Sequence, residues 1–224
     1  MSDSWADIEA VSFDVGGTLV PELGGPATVE IGSLLGLDLP AARALLDRSA
    51  KRRRGSPAEL AAELAAHAAD LSRAAALEAL LLRRRDLAAR AKPYEDTAPT
   101  LETLRRRGFP IVFLSNVIGA IAPDPGHPLL GLADLTISSC DTGYVKPERE
   151  AFAAAERALG VPANRIVHVG NARDADVEGA LAAGWRAMLL DRRGSDGTPP
   201  TSDPDRFRRI RSLSELPALL PSGD

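Results

Sequence analysis

The sequence has few of the features that mark secreted, membrane-spanning or nucleic-acid-binding proteins. It contains one cysteine, Cys140, so no disulfide can form within the chain, which is typical of a reducing compartment. No stretch approaches the roughly 20 apolar residues of a membrane span. The first residues, MSDSWADIEA, lack the basic start and apolar segment of a signal peptide. The formal charge of −4 is too mild to suggest a nucleic-acid or membrane surface. We therefore expect a cytoplasmic protein with no membrane or nucleic-acid partner.

Lysine and histidine are also scarce. Only three of the 27 basic residues are lysines: Lys51, Lys92 and Lys146. In a sequence that otherwise selects arginine, a lysine at a functional position indicates a need for a compact point charge. The three histidines are scattered, with neither triad nor metal-site spacing: His67, His127 and His168. His168 lies within a predicted strand, so we expect it to be a core residue.

Short runs of apolar residues predict five strands, at 8–13, 111–114, 134–138, 165–169 and 185–190. Helical patterns that end at glycine separate the later strands. Strands that alternate with helices in this way are typical of βαβ units. We therefore predict an α/β fold with a doubly wound, parallel, Rossmann-like sheet.

Two segments of the chain do not fit this alternation. Residues 122–131 are too rich in proline for the helix that the fold would place between the second and third strands. Residues 192–206 are rich in glycine, proline, serine and aspartate, which predicts a loop.

Between the first two predicted strands the composition changes. From about 27 to 91, alanine, leucine and arginine recur at helical spacing, and Ser56-Pro57-Ala58-Glu59 is a capping box at a helix start. We predict a small all-α domain of three or four helices at 21–92 and a Rossmann-like core at 1–20 and 93–224. An insertion directly after the first strand should lie over the crevice at the strand tips as a lid. We interpret Arg52, Arg53 and Arg54 as a solvent-exposed face.

Polar side chains follow the predicted strands at the points where they end. In chain order these are Asp14 with Gly16 and Thr18, Ser115 with Asn116, Lys146, and Asn171 with Asp174 and Asp176. Because the carboxyl ends of parallel strands meet at one crevice, we expect these groups to converge there. Asp14 would then be a nucleophile or metal ligand, and oxygen ligands near Asp176 could bind Mg²⁺ together with a substrate phosphate. Lys146, at a predicted helix start, could neutralise that phosphate.

Each of these features also has an ordinary structural explanation. Asp14 could cap a backbone amide in a glycine turn. Ser115 and Asn116 are residue types common where a strand meets a loop. Asp174 and Asp176 could simply favour the start of a helix. A binding site is favoured because each of these groups follows the end of a predicted strand, and a chance occurrence of all of them is much less probable than that of any one.

The motifs resemble those of the haloacid dehalogenase superfamily of hydrolases over nearly the whole chain. The matching segments are 13–19, 113–116, 143–147 with Phe152, and 169–180. The resemblance implies that Asp14 attacks phosphorus to form an aspartyl-phosphate, which water then hydrolyses. Ser115 and Lys146, with Asn116, would hold the phosphoryl oxygens, and Thr18 would fix the loop after the nucleophile. The substrate would be a small phosphorylated metabolite, selected by the helical insertion acting as a cap.

The resemblance also implies a Mg²⁺ site formed by Asp14, the Gly16 carbonyl, Asn171 and Asp176. Two of these positions depart from the family's pattern. The phosphatases usually carry a second aspartate, a general acid and base, where this chain has Gly16, and a metal-binding aspartate where it has Asn171. General acid–base groups contribute roughly 10²–10⁴-fold to rate. We therefore expect weak Mg²⁺ binding and slow turnover of poor leaving groups.

These departures leave three alternatives open. A catalytically impaired binding protein would keep the fold without turnover. Carbon–halogen hydrolases of the superfamily also lack the second aspartate, although they tend to carry tyrosine at the place of Phe152. Carbon–phosphorus hydrolases have a small residue at the place of Gly16 and use a cap lysine to form an imine. Lys51 lies in the insertion, but within the run KRRRG we interpret it as a surface residue.

Overall fold

A single parallel sheet forms the centre of the molecule. The computed structural model describes residues 4–194 and 205–222. Within them, six parallel strands lie in the order β3-β2-β1-β4-β5-β6. The strands are β1 (Ala10–Phe13), β2 (Ile111–Ser115), β3 (Leu135–Ser138), β4 (Ile166–Gly170), β5 (Arg186–Leu190) and β6 (Phe207–Ile210). Because β2 and β4 flank β1, the carboxyl end of β1 is a topological switch point where ligands bind in such sheets. The predicted doubly wound α/β fold is confirmed.

Four helices follow the turn after β1. These are α1 (Ala27–Leu35), α2 (Leu39–Arg48), α3 (Pro57–His67) and α4 (Ala74–Arg90). The predicted capping box is present, since the Ser56 hydroxyl accepts from the Glu59 N–H and the Glu59 carboxylate accepts from the Ser56 N–H. The four helices bury an apolar core of their own, which includes Leu45, Leu60, Leu64, Leu77 and Leu81. We call these four helices, with the turn that precedes them and the turns that connect them, the helical insertion.

Helices cover both faces of the sheet. They are α5 (Thr97–Arg106), α6 (Ser139–Thr142), α7 (Arg149–Leu159), α8 (Gly179–Ala182) and α9 (Leu216–Leu219). Alternate strand residues face opposite sides, so Ile111 and Phe113 pack in one layer with α5 and α9. Val112 and Leu114 pack in the other layer with α7 and α8. The sheet is therefore buried on both sides, and only its strand ends remain for a site.

Two arginines of the helical insertion contact the core. Arg52 donates to both carboxylate oxygens of Glu148, just before α7, and Arg54 donates to Asp141 of α6 at 2.5 and 2.9 Å. The interpretation of 52–54 as a solvated face is therefore wrong for Arg52, which is half-buried, whereas Arg53 and Arg54 are exposed. A basic run in the sequence does not reveal which acidic groups of a distant segment fold against it.

The connection from β2 to β3 crosses to the helical insertion. Residues 116–134 form turns and one 3₁₀ turn, Leu130–Leu132, as expected from the prolines of 122–131. Within this connection the Gly119 N–H donates to the Ala50 carbonyl at 2.9 Å. A Cβ on Gly119 would lie 2.0 Å from the Arg53 carbonyl oxygen, so only glycine permits this close approach. Ile118 completes the insertion's apolar core.

The remaining differences from the sequence expectations lie near the C-terminal end. The edge strand β6 was not among the predicted strands, because only its ends, Phe207 and Ile210, are buried and it has no apolar run. Of the predicted loop 192–206, residues 195–204 lie outside the described residues. Among the described helices, none is both long and apolar enough to cross a membrane.

Candidate active site

One cavity of about 500 Å³ lies at the carboxyl ends of the strands, between the sheet and the helical insertion. Every predicted site residue except the buried Thr18 lines it: Asp14, Gly16, Ser115, Asn116, Lys146, Asn171 and Asp176. The side chains that the sequence places at separate strand ends are therefore together in space. Their individual roles remain predictions.

Asp14 continues β1 by one residue and faces the cavity. Its N–H donates to the Val169 carbonyl at 2.9 Å, and its side chain keeps 13 % exposure. The following turn needs glycine at Gly17, which has φ +78°. A Cβ on Gly17 would lie 2.4 Å from the Asn171 amide nitrogen. The glycine thus permits the turn after β1 to pack closely on the loop after β4.

The Thr18 hydroxyl lies between those two loops. It is fully buried, 3.4 Å from Asp14 Oδ2 and 3.3 Å from Asn171 Oδ1. Since a threonine hydroxyl has one proton to donate, the two oxygens share it. Thr18 therefore contacts both Asp14 and Asn171, and the loop-fixing role expected of it stays a prediction.

The Lys146 ammonium group is buried against the Asp14 carboxylate. Its Nζ lies 2.9 Å from Asp14 Oδ1, 2.7 Å from Asp176 Oδ1 and 2.7 Å from the Leu114 carbonyl oxygen. An ammonium group has three protons, so all three are used within the protein. A phosphoryl oxygen that binds Nζ would have to replace one of these acceptors.

Asn116 holds the Lys146 backbone in place. Its side-chain N–H donates to the Lys146 carbonyl and its Oδ1 accepts from the Lys146 N–H, both at 2.8 Å. The side-chain amide is therefore already paired. The neighbouring Ser115 hydroxyl, by contrast, lines the cavity without a hydrogen-bond partner among the described residues.

Burial and pairing set the charges of this cluster. Burial alone would lower the pKa of Lys146, but Asp14 and Asp176 raise it above its ordinary value. Burial opposes ionisation of Asp176, yet Lys146 and His168 hold its pKa well below its ordinary value. Burial raises the pKa of Asp14 to about 6, against the opposing effect of Lys146. At pH 7 the cluster therefore contains one ammonium and two carboxylates, with one negative charge left over.

His168 lies beneath the cluster. The sequence predicted that it is a core residue but not that it contacts the site. Its Nδ1 is 2.9 Å from the Ser12 hydroxyl and its Nε2 is 3.3 Å from Asp176 Oδ1. Burial and the nearby Lys146 lower the pKa of His168 to about 4, so it is neutral at pH 7. Because the Asp176 carboxylate has no proton to give, Nε2 must donate and Nδ1 must accept from Ser12. The imidazole therefore supports Asp176 without adding charge.

The oxygen atoms around Asp14 suit Mg²⁺. Asp14 and Asn171 share the Thr18 hydroxyl, and the Gly16 main chain lies beside them on the cavity wall. The Asp176 carboxylate is committed to Lys146 and to the Ala172 N–H at 2.8 Å. Across residues 4–194 and 205–222, no group of three or more His, Cys, Asp or Glu forms a ready metal cage. Mg²⁺ is nevertheless usually bound by one or two carboxylates plus waters and substrate phosphate, so this set fits it.

The helical insertion contributes charged pairs to the cavity. Lys51, interpreted above as a surface residue, lines the cavity with 15 % exposure and pairs with Asp47 at 2.7 Å. That interpretation is wrong, because the turn that follows α2 places this one residue of the basic run in the cavity wall. Arg43 reaches across to Asp174 at 2.5 Å, so Asp174 is paired with the insertion.

The fold and the site define an α/β hydrolase with a helical insertion directly after the first strand. The family model described as haloacid dehalogenase-like hydrolase matches residues 8–184. The chain belongs to this family.

Two curated relatives and one solved structure show how the chain resembles known members. Phosphatase MT3486 of Mycobacterium tuberculosis is 36 % identical over 142 residues, 61 % of this chain and 60 % of that protein. Glyceraldehyde 3-phosphate phosphatase of Methanopyrus kandleri is 33 % identical over 120 residues, 51 % of this chain and 50 % of that protein. The chain therefore spans between half and three fifths of these relatives. A 2-haloacid dehalogenase from Pseudomonas syringae pv. Tomato has a similar structure, with TM-score 0.65, 25 % identity and coverage of 95 % of this chain and 97 % of that one.

Proposed function

We propose that this protein is a Mg²⁺-dependent phosphatase that hydrolyses a small phosphate monoester through an aspartyl-phosphate on Asp14. The observation that carries the proposal is the environment of this carboxylate. It opens into the cavity, its pKa of about 6 leaves it ionised at pH 7, and Lys146 at 2.9 Å and Thr18 at 3.4 Å hold it in one orientation. The family's curated phosphatases support the same reaction class.

Each neighbouring side chain has a role in this mechanism. The Asp14 carboxylate attacks phosphorus, and the unpaired Ser115 hydroxyl donates to a phosphoryl oxygen. Lys146 orients Asp14 and neutralises charge that builds up during transfer, while Asn116 keeps the Lys146 backbone in position. The helical insertion, residues 21–92, acts as a cap over the core formed by 1–20 and 93–224.

The metal site in this proposal consists of Asp14, the Gly16 carbonyl and Asn171, with Asp176 behind them. Bound Mg²⁺ would screen the charge between carboxylate and phosphate. The test is phosphate release from a panel of aryl and alkyl phosphates, with Mg²⁺ and with a chelator. We expect release that requires both Mg²⁺ and Asp14. Metal-independent release, or none from any ester, would refute the proposal.

The identity of residue 171 should set the Mg²⁺ requirement. We expect Asn171→Asp to lower the Mg²⁺ concentration for half-maximal activity by about tenfold, or ~1.4 kcal/mol, because it adds a charge beside Asp14. Asn171→Ala removes the oxygen and should raise that concentration. A Mg²⁺ titration of the three proteins measures this. Identical titration curves would place the metal away from this loop.

A second candidate function is hydrolysis of a carbon–halogen bond. Two observations favour it: Gly16 replaces the usual second aspartate, and the structure resembles a 2-haloacid dehalogenase over 95 % of the chain. In that reaction the Asp14 carboxylate would attack carbon and no metal would be needed. Halide release from a short 2-haloacid in the presence of a chelator would identify this activity. The panel of phosphate esters would then release no phosphate.

A further inference from the structure

A carboxylate stands beside the position where the family's second aspartate is missing. A Cβ placed on Gly16 would lie 3.3 Å from Glu22 Oε1 and 3.6 Å from Glu22 Cγ. In an aspartate the carboxylate oxygens lie about 2.4 Å from Cβ, from standard bond lengths. The Glu22 carboxyl group therefore lies next to the space that an aspartate side chain at position 16 would fill.

The backbone around Glu22 is fixed, although its side chain is exposed. Glu22 belongs to a turn closed by the Gly25 N–H, which donates to the Glu22 carbonyl at 3.0 Å. The buried Arg84 of α4 donates to the carbonyl oxygens of Leu23 at 2.8 Å and Gly25 at 2.7 Å. One helix of the insertion therefore anchors the turn that carries this carboxylate to the cavity.

Glu22 also differs from the other carboxylates of the cavity in having no partner. Five carboxylates line it: Asp14, Glu22, Asp47, Asp174 and Asp176. Four of them are paired with Lys146, Lys51 or Arg43. Among the described residues, Glu22 alone of these five has neither an ion pair nor a side-chain hydrogen bond. It is therefore free to exchange a proton with a substrate or with water.

We propose that Glu22 is the general acid and base of this active site, supplied by the turn at the start of the helical insertion instead of by residue 16. The assignment rests on the proposed phosphatase function. In the first step Asp14 forms a bond to phosphorus, the bond from phosphorus to the leaving oxygen breaks, and the Glu22 carboxylic proton passes to that oxygen. In the second step the Glu22 carboxylate takes a proton from water as the water oxygen attacks phosphorus. The bond to Asp14 breaks, and phosphate, the Asp14 carboxylate and protonated Glu22 result.

The proposal predicts a loss that depends on the leaving group. Glu22→Gln keeps the size of the side chain but cannot donate an acidic proton. We expect kcat/KM for an alkyl phosphate to fall by roughly 100-fold or more, whereas kcat/KM for an aryl phosphate changes by less than about threefold, since its leaving group needs little protonation. The parameter kcat/KM reports events only up to release of the leaving group. The difference between the alkyl and the aryl losses in kcat/KM therefore isolates the step in which the acid donates its proton. Circular dichroism melting verifies that the variant is folded.

A second variant tests the assignment by rescue. Gly16→Asp restores the carboxylate at the family's usual position, and the neighbouring atoms belong to the exposed side chain of residue 22, which has space to move aside. In the double variant G16D/E22Q we expect alkyl-phosphate activity to recover at least tenfold over E22Q alone. If both variants are folded and the double variant recovers no alkyl-phosphate activity, proton transfer by a carboxylate beside residue 16 would be contradicted.

His127 provides the competing assignment, because it also lines the cavity. If His127→Gln shows the leaving-group-dependent loss and Glu22→Gln does not, the proposal is overturned. An equal loss on aryl and alkyl esters in Glu22→Gln would also overturn it, because that pattern indicates a structural role. Failure of the underlying function is distinguishable, since the wild type would then release no phosphate from either ester or Asp14→Asn would stay active.

Discussion

Replacing Asp14 with asparagine should abolish phosphate release, lowering kcat by roughly 10⁴-fold or more. Asparagine has nearly the same shape, but its amide oxygen is too weak a nucleophile to attack phosphorus. The loss should be the same for aryl and alkyl phosphates, because both require the bond to Asp14. Phosphate release measured in excess Mg²⁺ tests this, and retention of wild-type activity would show that another residue is the nucleophile.

The same variant should remain folded. Burial raises the pKa of Asp14 to about 6 from an ordinary value of 3.8, so its ionised form costs stability at pH 7. Removal of that charge should leave the melting temperature unchanged or raise it. Asp47→Asn is a matched control, because Asp47 is another aspartate of the cavity and is paired with Lys51. We expect Asp47→Asn to keep kcat within about tenfold of wild type, because the Asp47 carboxylate pairs with Lys51 and not with Asp14 or Lys146.

Replacing Lys146 with methionine should reduce both stability and activity. The change removes a buried cation and leaves the carboxylates of Asp14 and Asp176 without the positive charge that both of them contact. Removing one member of a buried ion pair costs about 3–5 kcal/mol. Activity should be lost as well, because Asp14 would lose its orienting contact at 2.9 Å. Urea unfolding and phosphate release measure the two effects.

The stability loss in Lys146→Met should depend on pH in a defined direction. Lys146 holds the pKa of Asp176 below its ordinary value of 3.8. The stabilisation that this ion pair gives to the folded state is therefore complete above pH 3.8 and is lost as pH falls further. The difference from wild type should therefore be larger at pH 7 than at low pH, because Asp14 takes up a proton as pH falls through about 6 and Asp176 does so only below about pH 4. Lys51→Met provides the control, because the more exposed pair with Asp47 should contribute less than about 1 kcal/mol. Equal losses for the two lysines would contradict the proposed importance of the buried cluster.

Local sequence information was sufficient for most of the elements and for most of the site. The capping box at Ser56 requires only residues within one helical turn, and the buried strands appear as short apolar runs. The convergence of Asp14, Ser115 and Lys146 follows from a topological rule, because parallel strands end at the same edge of a sheet. These features depend on neighbours along the chain or on the parallel arrangement of the strands, which the alternation of strands and helices predicts before the structure is known.

Side-chain directions within the insertion could not be predicted in the same way. Lys51 and Arg52 are adjacent in a basic run, yet Lys51 lines the cavity and Arg52 binds Glu148. Which of them faces inward depends on how the helical insertion docks on the core, and that docking involves the close approach at Gly119. A charge run contains no information about this orientation.

The sequence by itself determined the class of fold, the convergence of the strand ends and the candidate nucleophile, because each of these depends on local pattern and topology. Only the tertiary structure placed the Glu22 carboxyl beside Gly16 and His168 beneath Asp176. Glu22 lies six residues from the glycine beside it, within a turn that Arg84 anchors from 62 residues away, and no spacing rule connects them. Such contacts depend on the packing of one layer against another, which is a property of the folded chain.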